Sequence, residues 1–440
     1  MKRKLGLLLV ITMVITMLNG CGSNTNTNAN TDAAASNKKE ESKSNELTVW
    51  CWDKNFNIYA MNEAGKIYQK DHPDFKLNVV ETAWDDVQTK LTTAVTSGQT
   101  DTLPDILLMQ DNALAKNITN YPDTFVDLTN SGIDFSQFAQ YKTALSTVNN
   151  KIYGVPFDSG TAVTALRTDI LEKAGYTIND FKDITWSRFI EIGKDVLKKT
   201  GMPLLSSQAG SPDLVMMMLQ SAGVWAFKDG KLSITDNPVL QKAVDTYVEL
   251  VKSGVLIEVN NWDQYIATFN TGKVAGAMTG CWILASVQAS DEQKGKWAVT
   301  NIPKLDGIDN ATNYSSVGGS SWLVLSNSKN KDLAVDFLSK TFAGSTDLYN
   351  TILKTSSAIA TWGPASTATN YGIAHEYFGG QKIFEDIIEY GKKVPKVSYG
   401  VYNYEARDAI GTAITKIISG TDKDSALKEA ESTVKFQMGQ

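Results

Sequence analysis

Few side chains in this 440-residue sequence suit reactive chemistry, and their types narrow what that chemistry can be. There are two histidines, His72 and His375. His72 sits in the polar turn Asp71-His72-Pro73-Asp74, and both read as surface residues rather than catalysts. A histidine-dependent triad or metalloenzyme is not expected. The three cysteines, Cys21, Cys51 and Cys281, lack the close Cys/His spacing that holds zinc and are too few for a disulfide framework. No metal and no cofactor are expected. Carboxylates stand at turn signals after apolar runs, as Asp53, Asp111 and Asp158 do. Tryptophan is the unusual type. All ten lie beyond residue 46, and several sit beside turn residues rather than inside apolar periodic runs.

Cys21 is set apart by its context. Lys2, Arg3 and Lys4 precede an apolar run from Leu5 to Leu18, and Asn19-Gly20-Cys21 follows. A cationic start, a short apolar segment and small residues before a cut site make a secretory signal over 1–20. The run is well short of the roughly 20 residues a membrane-spanning helix needs. Leu18-Asn19-Gly20-Cys21 resembles a bacterial lipobox, which implies that Cys21 is lipidated and becomes the new amino terminus. From there to residue 46 the chain is Asn, Thr, Ser, Ala, Lys and Glu, with no apolar cluster. Such a segment cannot offset its ordering entropy, so 21–46 reads as a flexible tether. The expected location is the outer face of a cell membrane, held by the lipid. The chain carries 42 basic and 48 acidic residues, and losing the leader makes it three charges more negative. An acidic body argues against nucleic acid as a partner.

The elements that must position these residues follow from periodicity. Leu47 to Trp52 reads as a strand, Ile58 to Lys70 as a helix, Lys76 to Glu81 as a strand, and a helix starts near Asp85. The continuous apolar run Ile106 to Met109 suits a strand buried on both faces. This order indicates a parallel sheet with covering helices, whose ligands sit beyond the carboxyl ends of the strands. Cys51 to Asn55, Glu81 to Asp85 and Gln110 to Asn112 fall at such ends. Further on, strands are expected at 152–157, 162–167, 274–278 and 323–325. Helices are expected at 186–197 with Thr185 as N-cap, 214–222, 238–252, 262–271, 331–341, 406–418 and 424–434.

The assembled landmarks resemble bacterial extracellular solute-binding proteins of the maltose-binding type. They are Leu47 to Trp50, Leu103-Pro104-Asp105-Ile106, Phe125 to Leu128, Gly154-Val155-Pro156, Val274 to Met278 with Gly280 and Trp282, and the stretch Gly420 to Ala430. The resemblance spans Leu47 to Gln440. It implies an α/β, two-lobed periplasmic-binding-protein-like fold (type II), each lobe a mainly parallel sheet with flanking helices and a ligand cleft at the hinge. Lobe 1 would be 47–157 with 318–362, and lobe 2 would be 158–317 with 363–440. The crossings would fall near Pro156 to Asp158, Gly318 to Trp322 and Thr361 to Pro364. The implied role is capture of an extracellular solute for a membrane ABC permease, by a monomer with no enzymatic activity.

A sugar needs flat aromatics for its C–H faces and forked polar groups for its hydroxyls. The resemblance carries a ligand role to Asp53, Lys54, Asp111, Asp158 and Trp282. Placement beside turns, crossings or strand ends adds Trp84, Trp225, Trp322 and Trp362. The family's last aromatic position falls at Asn403, between Tyr402 and Tyr404, a departure from the pattern. Cys51 and Cys281 would lie in opposite lobes, where a bridge would staple the cleft, so free thiols are expected. The leading reading is a binder of a neutral sugar, most simply an oligosaccharide. The alternatives are the same fold for a non-sugar solute, or a secreted glycoside hydrolase. A hydrolase needs two carboxylates about 5 to 10 Å apart, which Asp53, Asp111 and Asp158 would have to supply. A phosphate ligand is disfavoured because only Arg167, Arg188 and Arg407 follow the leader.

Overall fold

In the computed structural model, residues 44–440 are described. The predicted signal, Cys21 and all but the end of the predicted tether lie outside the described residues. Glu46, assigned to the tether, is already the first residue of a strand.

Strand Glu46–Cys51 buries Leu47, Val49 and Cys51 on one face. It pairs in parallel with Lys76–Glu81 on one side and Ile106–Gln110 on the other. Helices Asn57–Tyr68 and Trp84–Ser97 make the crossovers that parallel pairing requires. Ser320–Val324 runs antiparallel to Ile106–Gln110 and to Gly154–Pro156, completing a five-stranded sheet. The two apolar clusters on this sheet draw on residues 47–157 and on 322–365.

The second sheet differs from the expectation of mainly parallel strands. Ala162–Arg167 is flanked by Gly276–Gly280 and Trp297–Thr300, both antiparallel to it. Among the strands here, parallel pairing is between Leu205–Gln208 and Leu256–Val259, with one isolated parallel bridge at Thr185 and Lys304. A bond from the Ala275 N–H to Pro203 O (2.8 Å) links the two groups. Both neighbours of Ala162–Arg167 come much later in the chain, so local alternation carries no information on their direction.

Helices here follow the sequence closely. Pro238–Lys252 starts on the Asn237 side chain, which accepts the Leu240 N–H at 3.0 Å, and Pro238 fits the first turn, where its missing N–H costs nothing. Leu240, Val244, Tyr247 and Leu250 all reach full burial, each worth about 1.5–3 kcal/mol. Thr185 caps Trp186–Thr200 as its sequence position predicts.

Segments 156–160 and 317–320 run side by side with residues 359–360, just before the expected third crossing at 361–364. Phe157 N–H bonds Ser320 O (2.9 Å), Ser159 N–H bonds Ile359 O (2.9 Å) and Val317 N–H bonds Gly160 O (2.7 Å). At Gly160 an added Cβ would lie 2.7 Å from Val317 O, so only glycine lets these backbones meet.

Candidate functional site

The carboxyl ends of the three parallel strands build the first wall. After Cys51 the chain turns, and the Asn57 side chain accepts the N–H groups of Trp52 (3.0 Å) and Asp53 (2.9 Å). Asp53 Oδ1 accepts from Asn55 N–H (2.8 Å) and Phe56 N–H (3.0 Å), so this carboxylate closes the turn into the next helix. Lys54 is open to solvent and pairs with Glu81 at 3.0 Å. Trp84 begins helix Trp84–Ser97 and tilts against Trp52, their ring centroids 5.4 Å apart.

Asp111 and Asp158 meet at the crossing. Asp111 opens helix Asp111–Asn120, where the helix dipole favours an acid. Its carboxylate pairs with Lys142 and accepts from Ser321 Oγ (2.7 Å). Burial pushes this carboxyl above its usual range, and the Lys142 cation opposes the rise. Asp158 Oδ1 accepts from the N–H (2.9 Å) and hydroxyl (2.7 Å) of Ser320. Both acids are buried and engaged within the protein, which leaves them poorly placed as a free carboxylate pair.

A small cavity of about 10 Å³ opens beside them, lined by Asn112, Asp213, Met216, Trp225, Ser316, Val317, Gly318, Tyr399 and Arg407. Asp213 sits in the first turn of helix Asp213–Ser221 and pairs with Arg407, near the start of helix Asn403–Ile418. Trp225 is 6% exposed, and its indole N–H donates to Asn403 Oδ1 at 2.8 Å. Asn403 Nδ2 in turn donates to Asn112 O (3.3 Å), and the Tyr404 hydroxyl reaches Asn112 Oδ1 (2.8 Å). Burial pushes the Tyr399 phenol up to about 12, so it stays a neutral donor and acceptor. On its other side Trp225 borders an open groove of about 400 Å³ that also touches Phe227, Asn237 and Lys396.

Of the predicted aromatics, Trp225 alone lines the cavity. Trp282 stands next to it: its indole N–H donates to Val317 O (3.0 Å), and its ring lies 5.7 Å from that of Trp262. Trp282 fits because position 280 is glycine, where a Cβ would fall 2.1 Å from its Nε1. Trp322 and Trp362 are placed differently from the expectation of a cleft position. Trp322 is 0% exposed, between Phe157 and Phe342, and core packing accounts for its whole surface. Trp362 packs on Tyr349 and donates to Gln137 Oε1 at 3.0 Å. Every residue of Ser320–Val324 is buried, Trp322 included, which the turn signal Gly318-Gly319 does not convey.

Sequence reasoning misses Asp213, Tyr399 and Arg407. Arg407 carries a signal in the scarcity of arginine. Asn112 lies inside a predicted strand-end segment without standing out there. Asn403, a departure from an aromatic position in sequence, holds the Trp225 indole. Cys51 and Cys281 are free thiols in separate apolar clusters. Among the described residues no group of His, Cys, Asp and Glu is placed to hold a metal ion, and no helix is long and apolar enough to cross a membrane.

The sequence profile of the bacterial extracellular solute-binding proteins matches residues 63–369. The chain belongs to that family. A lactose-binding protein of Rhizobium radiobacter is 41% identical over 387 residues, covering 88% of this chain and 91% of that one. An arabinooligosaccharide-binding protein of Bacillus subtilis (strain 168) is 25% identical over 352 residues, 77% of this chain and 76% of that one. These relatives of the solute-binding chain are binding proteins by name. Among solved structures, the galacto-N-biose-/lacto-N-biose I-binding protein of the ABC transporter from Bifidobacterium longum, in complex with lacto-N-biose, superposes with a TM-score of 0.72. It shares 20% identity and covers 90% of this chain and 96% of that one, a likeness of fold.

Proposed function

We propose that this solute-binding protein captures an uncharged disaccharide or short oligosaccharide of the lactose class outside the cell and presents it to an ABC permease. The observation that carries the reading is the group of Trp225, Asp213, Arg407, Asn112 and Tyr399 around a cavity of about 10 Å³, room for about one water, which must widen to admit a sugar. A flat indole beside a carboxylate, a guanidinium, an amide and a phenol suits a ring with apolar faces and a hydroxylated rim. The 41% identity to a lactose-binding protein along nearly the whole chain supports the same class. In this reading Trp282 and the Trp52–Trp84 pair flank the ligand, while Asp111 and Asp158 hold the crossing rather than the sugar.

The proposed lobes are 47–157 with 318–362 and 158–317 with 363–440. Their support is the separate apolar clusters on the two sheets and the three hydrogen-bonded crossing segments. Closure about those segments is a hinge motion. The protein is proposed to act as a monomer, held at the outer face of the membrane by a lipid on Cys21.

The test is a thermal-shift and calorimetric screen with lactose, other disaccharides, arabino-oligosaccharides and mannitol. A ligand that binds only the folded state raises the melting point by mass action. Lactose or a related galactoside should give the largest shift. No shift with any saccharide at millimolar concentration overturns the sugar reading. For the anchor, Cys21→Ala should abolish lipid incorporation, and unchanged incorporation would overturn that part.

A further inference from the structure

The cavity holds an ion pair whose charges are not fully hidden. The Asp213 side chain is 39% exposed and that of Arg407 17%. A guanidinium has five N–H donors, and among the described residues the one side-chain hydrogen bond of Arg407 runs to Asp213. Of the nearby charges, Asp111 is matched by Lys142 and Glu405 by Lys116, while the Asp408 carboxyl also feels the Arg407 cation. We propose that the Asp213–Arg407 pair is the specificity device that admits uncharged sugars and rejects acidic ones. This rests on the sugar reading above.

The physical reason is a difference between two kinds of oxygen. A sugar hydroxyl donates and accepts, so it can give a hydrogen bond to the remaining Asp213 oxygen and take one from Arg407. A carboxylate on the sugar only accepts. It would meet the Asp213 anion as a like charge in a poorly hydrated site, while the attraction of Arg407 is already used by Asp213. Removing the Asp213 charge would leave a guanidinium suited to fork onto a carboxylate. The pair thus behaves as a plugged anion site. Each partner stands near the start of a different helix, Asp213–Ser221 and Asn403–Ile418, so the pair also ties two parts of the wall together.

The experiment is calorimetric titration of the mature chain with lactose and with an aldobiuronic acid, a disaccharide carrying one carboxylate. The proteins are the wild type, Asp213→Asn and Arg407→Gln, each checked for folding by its thermal melt. Wild type should prefer lactose. Asp213→Asn should shift the acid-to-lactose affinity ratio towards the acid by about thirtyfold or more. Arg407→Gln should weaken lactose about tenfold and gain nothing for the acid. One folded variant suffices for a decision. A ratio unchanged within about threefold, or a wild type that takes the acid as tightly as lactose, overturns the proposal. So does failure of both variants to fold, because the pair would then be structural. If the wild type binds neither of these and no saccharide of the wider screen, the sugar reading itself fails and this inference falls with it; if another neutral sugar binds, it replaces lactose in the same titration.

Discussion

Two ion pairs stand close together in this protein and differ in what surrounds them. The Asp111 and Lys142 side chains are each 1% exposed, sealed at the crossing by Ser320, Ser321 and Gly319. Asp213 and Arg407 face a cavity and keep part of their surface open. Both pairs join an aspartate to a cationic side chain. A sealed pair has every partner supplied by the protein, so its effect falls on stability and on the geometry of the crossing. A pair with open surface has donors and acceptors left for a visitor. Exposure of the pair, more than its charge, separates the sealed pair from the one proposed for recognition.

The comparison breaks most sharply at Lys142. Lys142→Met should leave the Asp111 carboxylate buried without a cation and destabilise the fold by about 3–5 kcal/mol, read as a large drop in denaturation midpoint. Its pH dependence has a defined sign. Burial already raises the Asp111 carboxyl in the folded state, and without Lys142 only the Ser321 hydroxyl opposes that rise. A carboxyl raised on folding contributes stability at pH below its unfolded value and loses it as pH climbs through the folded one. The variant should therefore recover stability relative to wild type as pH falls towards the ordinary carboxylate range. A loss that does not depend on pH would count against a charged Asp111.

Gly319 tests the seal itself. Its φ is +85°, and a Cβ would lie 2.7 Å from Lys142 Nζ and 2.8 Å from Asp111 Oδ2. Gly319→Ala should cost about 1–3 kcal/mol from the strained backbone alone, with the displaced ion pair adding to it. A melting point equal to wild type would show that the crossing is not tightly packed.

The cavity side should respond in affinity. Trp225→Phe keeps an aromatic ring but removes the N–H that holds Asn403. The expected loss is about tenfold in sugar affinity, through the smaller ring and the released Asn403 side chain, seen by calorimetry. An unchanged dissociation constant would take Trp225 out of the site. The smallest effect belongs to Lys54→Ala. Lys54 pairs with Glu81 in the open, and exposed pairs contribute little, so melting and sugar binding should both match wild type within error. A clear loss of sugar binding would return Lys54 to the site.

Much of the architecture is legible in the sequence. The strands at 76–81 and 162–167 and the helix at 238–252 fall where periodicity puts them, because local apolar spacing and caps define such elements. Helix Asp111–Asn120 is not read in this way, although Ala113, Leu114, Asn117 and Ile118 share its buried face, because it follows the strong run Ile106 to Met109 with no turn between. The burial of Lys142 is equally hidden, because nothing near it in sequence shows that its partner is Asp111. Of the site, the strand-end segments mark Trp52, Asp53, Trp84 and Asn112, and the turn beside Trp225 marks that residue. Asp213 and Arg407 lie in helices whose spacing says nothing of a cavity.

The amino-acid sequence by itself determined the acidic body, the alternation of strands and helices, and the poverty in histidine and arginine, and it alone carries the proposal of an anchor at Cys21. These are properties of composition and of neighbours in the chain. Tertiary structure decided which of two similar carboxylates is sealed and which is open. It placed Trp322 in the core and Trp225 at the cavity, and it set the antiparallel order of the second sheet. Burial and pairing arise between residues far apart in the chain, as in Asp213 with Arg407, and no local spacing encodes that meeting.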